Sequence, residues 1–372
     1  MPKIEAQRCL YPAYNPEGHN PYTGAVFSDV KLTPSHPLAI PGLGHITNGS
    51  CGEVRHAHVC PSGDTVTLHT YQCHNYQCPI CYPSAAHKSA VKIEDRVQGV
   101  GSVLRLNGIK TRYPNHIIIS PPVGAFEPSD SVGTWRKKVY KVASDIGIIG
   151  GVVVFHPYRI KPDIIKELNP LNKKGDSGGF WRLIHSNVLN FSSWRDYVQW
   201  SPHFHILGFL PDVKIKSSDL HLTHPGWFYK TVQYNLNTNN SNKYAIPSVA
   251  AAATYLLTHH GYVDGRNGYN YFGILSPQKA SVVCFEKVIE TILCAKCGQV
   301  MHKYTNFDIN ADGTLDLSRA HDHGEAEHVR IWSVYKLKGY PIIGSVFGAF
   351  DDSAVNRYYN KNGSSYKGGV PS

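Results

Sequence analysis

Charge is scarce in this chain, and acidic charge is scarcer than basic. Asp, Glu, Lys and Arg make up 17% of its 372 residues, with 27 acids against 37 bases; an average globular chain carries about 25%. The formal charge of +10 suits a partner rich in negative charge, with nucleic acid the leading candidate. Long apolar runs are missing as well. None approaches the ~20 residues of a membrane span, so no membrane partner is expected. The N-terminal stretch MPKIEAQRCLYPAYNPEGHNPYTG lacks the apolar segment of a secretory signal, and the chain is expected to be cytoplasmic. No G-x-x-x-x-G-K-[ST] loop, heptad pattern or internal repeat occurs, so the chain carries no visible NTPase motor. What is present is globular: 42% of residues are hydrophobic and 11% aromatic, enough for one large domain or two to three small ones.

Cysteine is plentiful and unevenly spread. There are nine, an odd number, and seven cluster in CGEVRHAHVC, CHNYQCPIC and CAKC. That pattern argues for metal ligation and against a disulfide framework. Zinc takes four soft or borderline ligands in a tetrahedron, and the C-x-x-C knuckle at Cys78 and Cys81 supplies two. The expected set is Cys60, Cys73, Cys78 and Cys81, with Cys51 as the alternate. A second knuckle, Cys294 and Cys297, needs partners from His302, His321, His323, His328 or Cys284. Four protein ligands leave no open position, so both sites read as structural zinc.

Composition divides the chain into an irregular arm (1–45), a zinc-binding module with a basic helix (46–106), a main domain (107–282) and a C-terminal region (283–372). Within the main domain, NHIIISPP reads as a buried strand stopped by prolines. SVGTWRKKVYKVASDIG has Trp135, Val139, Val142 and Ile146 at helical spacing, with Arg136, Lys137, Lys138 and Lys141 elsewhere on its surface. GGVVVFHPYRI is a strand carrying His156, and residues 161–190 look like an insertion of loop composition. In IPSVAAAATYLLTHHG, Ser248 is a plausible N-cap and Gly261 a good residue just past the helix end. YNYFGILS reads as a further strand.

SPHFHILGF places His203 and His205 on one face of a strand, because successive strand side chains alternate. Two imidazoles holding a metal need a third ligand from a neighbouring strand. His156 is the first candidate, with Asp196 and Gln199 as rivals. A site of this kind keeps open positions and can act as a Lewis acid towards phosphate. Tyr255, on the helix that follows, can serve as a covalent nucleophile, although its ordinary pKa near ~10 keeps it protonated at neutral pH. His259, four residues on, shares its helix face and could assist proton transfer or contact DNA.

An apolar strand (HIIISPP), a histidine–hydrophobic–histidine strand (SPHFHILGF) and a tyrosine helix (AATYLLTHHG) follow one another in the order of the three motifs of HUH endonucleases. The chain resembles most closely the rolling-circle replication initiators of archaeal plasmids and viruses, in which a CP-x-C element also precedes the nuclease domain; FHPYR and YFGILS are similar too. The resemblance covers roughly residues 50–300. It implies an α+β fold with a five-stranded antiparallel sheet flanked by helices, of the HUH/RRM-like type. It implies nicking of single-stranded origin DNA by tyrosine, giving a 5′-phosphotyrosyl link and a free 3′-hydroxyl. His203 and His205 match the metal pair for Mn or Mg, and Tyr255 matches the nucleophile. His156 stands where many relatives carry an acid. Tyr262 is the nearest second tyrosine, and the chain reads as a one-tyrosine enzyme. Unwinding and synthesis would fall to a host helicase and polymerase. Arg136, Lys137, Lys138, Lys141 and Arg159 could track phosphates, while Trp194, Trp200 and Tyr158 could stack on bases. A transposase or relaxase shares the same motifs. The rivals from other classes are a non-catalytic zinc-finger DNA-binding protein and a cupin-like iron or zinc site for small molecules.

Overall fold

A computed structural model describes residues 38–44, 48–109, 114–168, 191–210, 222–232, 246, 248–262, 268–311 and 314–344. Most of the arm read over 1–45, most of the insertion read over 161–190, much of the polar segment before Tyr244 and the Gly/Ser-rich end lie outside these residues. A hairpin of β1 (Val54–Val59) and β2 (Val66–Thr70) comes first, followed by α1 (Tyr82–Leu106). A proline in the first turn of α1 suits a position whose backbone N–H would have no helical partner.

The main sheet has five antiparallel strands. They are β3 (Asn115–Ser120), β4 (Gly150–Ile160), β5 (Val198–Phe209), β6 (Phe228–Thr231) and β7 (Tyr269–Gly273), in the order β6-β3-β5-β4-β7. The expected α+β architecture with such a sheet is present. Helix α2 (Val132–Asp145) covers one face, setting Trp135, Val139 and Val142 against Ile117, Ile119, Phe155, Phe204 and Ile206. A short helix, α3 (Pro162–Leu168), follows β4. On the opposite face, α1 and α4 (Val249–Leu257) pack on Val152, Val154, Leu207 and Phe209. Covered on both sides, β4 and β5 are nearly continuous apolar runs rather than alternating ones.

Two oxygen acceptors start α4. Ser248 Oγ accepts from the Ala251 N–H at 3.1 Å, and Glu94 Oε1 of α1 accepts from the Ala250 N–H at 3.1 Å. Both satisfy donors that a helix N-terminus leaves over. The helix ends at Thr258, not at Gly261. Gly261 answers a different need: its N–H donates to the Phe155 carbonyl at 2.8 Å, and a Cβ there would run into the Pro157 ring.

The boundary drawn at residue 283 divides elements that the fold joins. β9 (His302–Thr305) pairs with β1, and β12 (His321–Glu325) pairs with β9, giving a sheet in the order β12-β9-β1-β2. The long hairpin of β8 (Ala280–Thr291) and β13 (Glu327–Leu337) returns to α1, with Tyr335 and Leu337 buried in the same core cluster. A small pair, β10 (Asp308–Ile309) with β11 (Leu315–Asp316), lies between. Composition changes at 283, but a strand's partner is fixed by register across hundreds of residues. Leu38 and Ile40, assigned to the arm, are core residues, and Ala39 bridges Tyr262. Among the described residues no helix is long and apolar enough to cross a membrane.

Candidate metal centre

His156 and His203 face each other across β4 and β5, and His205 follows on the same face opposite Val154. One ring nitrogen from each of the three lies within 4.8 Å of the other two. The group is buried: His156, His203 and His205 are 2%, 7% and 5% exposed. Asp196, a rival for third ligand, stays outside it, and no carboxylate joins it among the described residues; Gln199, the other rival, stands opposite Arg159 in the β4–β5 register.

Each imidazole uses one nitrogen to hold its ring in place. His203 Nδ1 lies 2.7 Å from the Ser201 carbonyl, and His156 Nε2 lies 3.0 Å from the Leu256 carbonyl of α4. A carbonyl only accepts, so those nitrogens carry the protons and the opposite nitrogens keep their lone pairs. His205 Nδ1 shares a 2.7 Å hydrogen bond with His116 Nε2 of β3. Such partners fix tautomer and orientation around a metal. Burial pushes all three well below the ordinary imidazole pKa, and the neighbouring histidines and Arg159 push the same way. The rings are neutral, the form that binds a cation.

α4 crosses this face and brings the tyrosine with it. The Tyr255 ring packs edge-on to His259 at 4.6 Å, and His259 packs on His156 at 4.5 Å. One imidazole therefore separates the half-buried phenol from the histidine group. Arg159 is brought close by a bulge. Pro157 has no N–H for the ladder, and register shifts between His156 and Tyr158. The shift turns Tyr158 into the core under α2 and Arg159 towards the histidine face, where its charge reaches His203 and His205.

Other expected contacts fall elsewhere. α2, with Arg136, Lys137, Lys138 and Lys141, covers the opposite face of the sheet from the histidines. Lys138 sits over the Trp135 ring at 4.2 Å, and Lys141 pairs with Asp145 at 2.8 Å. Trp194, Trp200 and Tyr158 are not base-stacking surfaces: they are 5%, 2% and 3% exposed and belong to the core. Trp200 donates to the Phe126 carbonyl at 2.6 Å. Tyr262, the second tyrosine considered, is buried against Tyr76. His116 went unread in the sequence although it stands inside HIIISPP; only the register with β5 reveals its role.

The cysteines regroup. Cys51, Cys73, Cys78 and Cys81 bring their sulfurs within 4.8 Å of one another, so Cys51 takes the place expected for Cys60. Cys60 joins Cys294 and Cys297 instead, its Sγ lying 3.3 Å from Cys297 Sγ. The cause is topology: Cys60 directly follows β1, which pairs with β9 just beyond the second knuckle. Among the described residues that group stops at three thiols, and none of the proposed histidines nor Cys284 completes it. Ser62 Oγ comes closest, 3.0 Å from Cys60 Sγ and 3.5 Å from Cys297 Sγ. Burial pushes Cys81 up to about 12 and also raises Cys51, so buried thiols in such a group gain by trading protons for a cation. The hydrogen bond between Cys294 and Thr65, together with one from the Cys297 backbone, lowers Cys294 to about 6, favouring thiolate. Both groups have the donors of a zinc site. No family model, curated protein or solved structure matches this chain.

Proposed function

We propose that this chain is an HUH-type tyrosine endonuclease that nicks single-stranded origin DNA and starts rolling-circle replication. The observation that carries the reading is the placement of Tyr255 one imidazole away from a buried group of three neutral histidines. His156, His203 and His205 would hold the cation, whose contribution is to polarise the scissile phosphate and absorb developing charge. The resemblance implies Mn²⁺ or Mg²⁺ there, whereas three imidazoles without a carboxylate favour a later divalent metal such as zinc over both, so the reaction is tested with several divalent cations.

The chain's own groups then supply the transfer. His259 accepts the phenolic proton, and the Tyr255 oxygen bonds to phosphorus. The bond from phosphorus to the 3′ oxygen breaks, and that oxygen takes up a proton to leave as a free 3′-hydroxyl. The 5′ end stays on the protein as phosphotyrosine, which the same step in reverse can rejoin. Arg159 lies where it can pair with a non-bridging phosphate oxygen. The net charge of +10 fits a nucleic-acid partner. Host helicase and polymerase would extend the primer.

The test is denaturing mass spectrometry of the full chain after incubation with Mn²⁺, Mg²⁺ or Zn²⁺ and a single-stranded oligonucleotide from its own replicon. The expected product is a covalent adduct on Tyr255, abolished in Tyr255→Phe. An adduct surviving that substitution would overturn the nucleophile. DNA binding with no adduct under any divalent cation would favour the non-catalytic rival. A transposase or relaxase would be distinguished by the DNA ends it joins.

A further inference from the structure

The hairpin of β1 and β2 carries a second H-x-H strand, RHAHV. His56 and His58 alternate along β1 and so share a face, and the β2 register sets His69 directly opposite His56. A ring nitrogen from each lies within 4.8 Å of the others, with His69 Nε2 only 3.0 Å from His58 Nδ1. The His56 and His69 rings stack at 4.5 Å, and the His58 ring lies 4.2 Å from His69 and 5.1 Å from His56. His58 is 6% exposed, while His56 and His69 are half-buried and open towards solvent. No thiol or carboxylate joins the group among the described residues.

We propose that His56, His58 and His69 form a third metal centre, which takes a zinc-class divalent cation through three imidazoles. Imidazole favours zinc, copper and nickel over magnesium, calcium and manganese. Three protein ligands leave the fourth tetrahedral position open, the arrangement of exchangeable rather than purely structural zinc. Burial, with the charge of neighbouring groups, takes His56 and His58 down to about 4 and lowers His69, so all three rings are neutral at pH 7 and ready to ligate. Lys303 stands opposite His58 on β9, and Arg55 and Lys303 add positive charge around His56. That surround opposes the cation alone and favours an anion, hydroxide or a phosphate oxygen, in the open position. The centre is independent of the nuclease reading, because it uses a different sheet and none of the residues of the main-sheet group.

Cobalt(II) is the probe, because it reports thiolate and imidazole sites differently. The full-length wild type should bind one equivalent more than His69→Gln by native mass spectrometry. The thiolate-to-cobalt absorption of the two cysteine groups should be the same in both proteins, which also shows that the variant has folded. Equal stoichiometry with equal thiolate absorption would overturn the proposal. Should His69→Gln lose the thiolate bands, the wild type decides alone after ¹⁵N-histidine labelling. Imidazole signals of His56, His58 and His69 moved outside the diamagnetic range at saturating cobalt support the centre. Unmoved signals refute it.

Discussion

His116 is wholly buried, and its Nε2 sits 2.7 Å from His205 Nδ1, so it acts on the candidate metal centre through another residue. Burial drives its own pKa down to about 3, leaving it a neutral partner for the ring it orients. Removing such a partner costs a metal site about 10–100-fold in affinity. His116→Phe preserves bulk and deletes the hydrogen bond. The expected result is weaker Mn²⁺ binding by that factor in an electron paramagnetic resonance titration, with adduct formation restored at high Mn²⁺. His203 and His205 were legible in the sequence because strand alternation alone puts them on one face. His116 was not, since its face depends on how β3 registers against β5, where Ile118 rather than His116 stands opposite His205. The same limit explains Trp194 and Trp200. Whether an aromatic stacks on a base or fills a core depends on what covers it, and here α2 and its neighbours do.

At the level of elements, helical spacing locates α2, the alanine run after Ser248 locates α4, and apolar runs locate β4 and β5 close to where they fold. Two devices escaped that reading. One is the bulge at Pro157, which exchanges the faces of Tyr158 and Arg159 and so decides which of them meets the histidines. The other is the glycine pair in VQGVGSV of α1, which costs helix propensity and has no local explanation. The Tyr335 ring lies on Gly99 so closely that a Cβ could not fit, and Phe209 crowds Gly101. Asp95, one turn earlier, anchors the same strand by accepting from the Ser333 N–H at 2.9 Å and the Tyr335 hydroxyl at 3.1 Å. Gly99→Ala should therefore lose about 1–3 kcal/mol by overpacking, despite its better helix propensity. Gly49→Ala, with nothing near its Cβ position, should stay near wild type. Urea unfolding of the two variants side by side separates a packing effect from a general glycine effect.

Across the whole molecule, the metal-type groups read from the sequence as two modules at opposite ends prove to be one assembly. Cys60 from the N-terminal hairpin meets Cys294 and Cys297, and the sheet β12-β9-β1-β2 draws two strands from each region. Local composition cannot carry this information, because the pairing of His58 with Lys303 spans most of the chain. A chain ended after residue 282 keeps the histidine group and Tyr255, yet removes β9, β12, β13 and two of the three thiols around Cys60. It also strips Tyr335 and Leu337 from the α1 core, where each is under 4% exposed. Burial of side chains of that size contributes roughly 1.5–3 kcal/mol apiece. If the fold is one cooperative body, the truncated chain should bind less zinc, melt at lower temperature and expose α1 to protease. If 107–282 were an autonomous nuclease, the same truncation would leave melting and adduct formation unchanged. Zinc content, thermal unfolding and the Tyr255 adduct measured on one preparation distinguish the two. The burial of Tyr335 beneath α1 commits this fold to the first outcome.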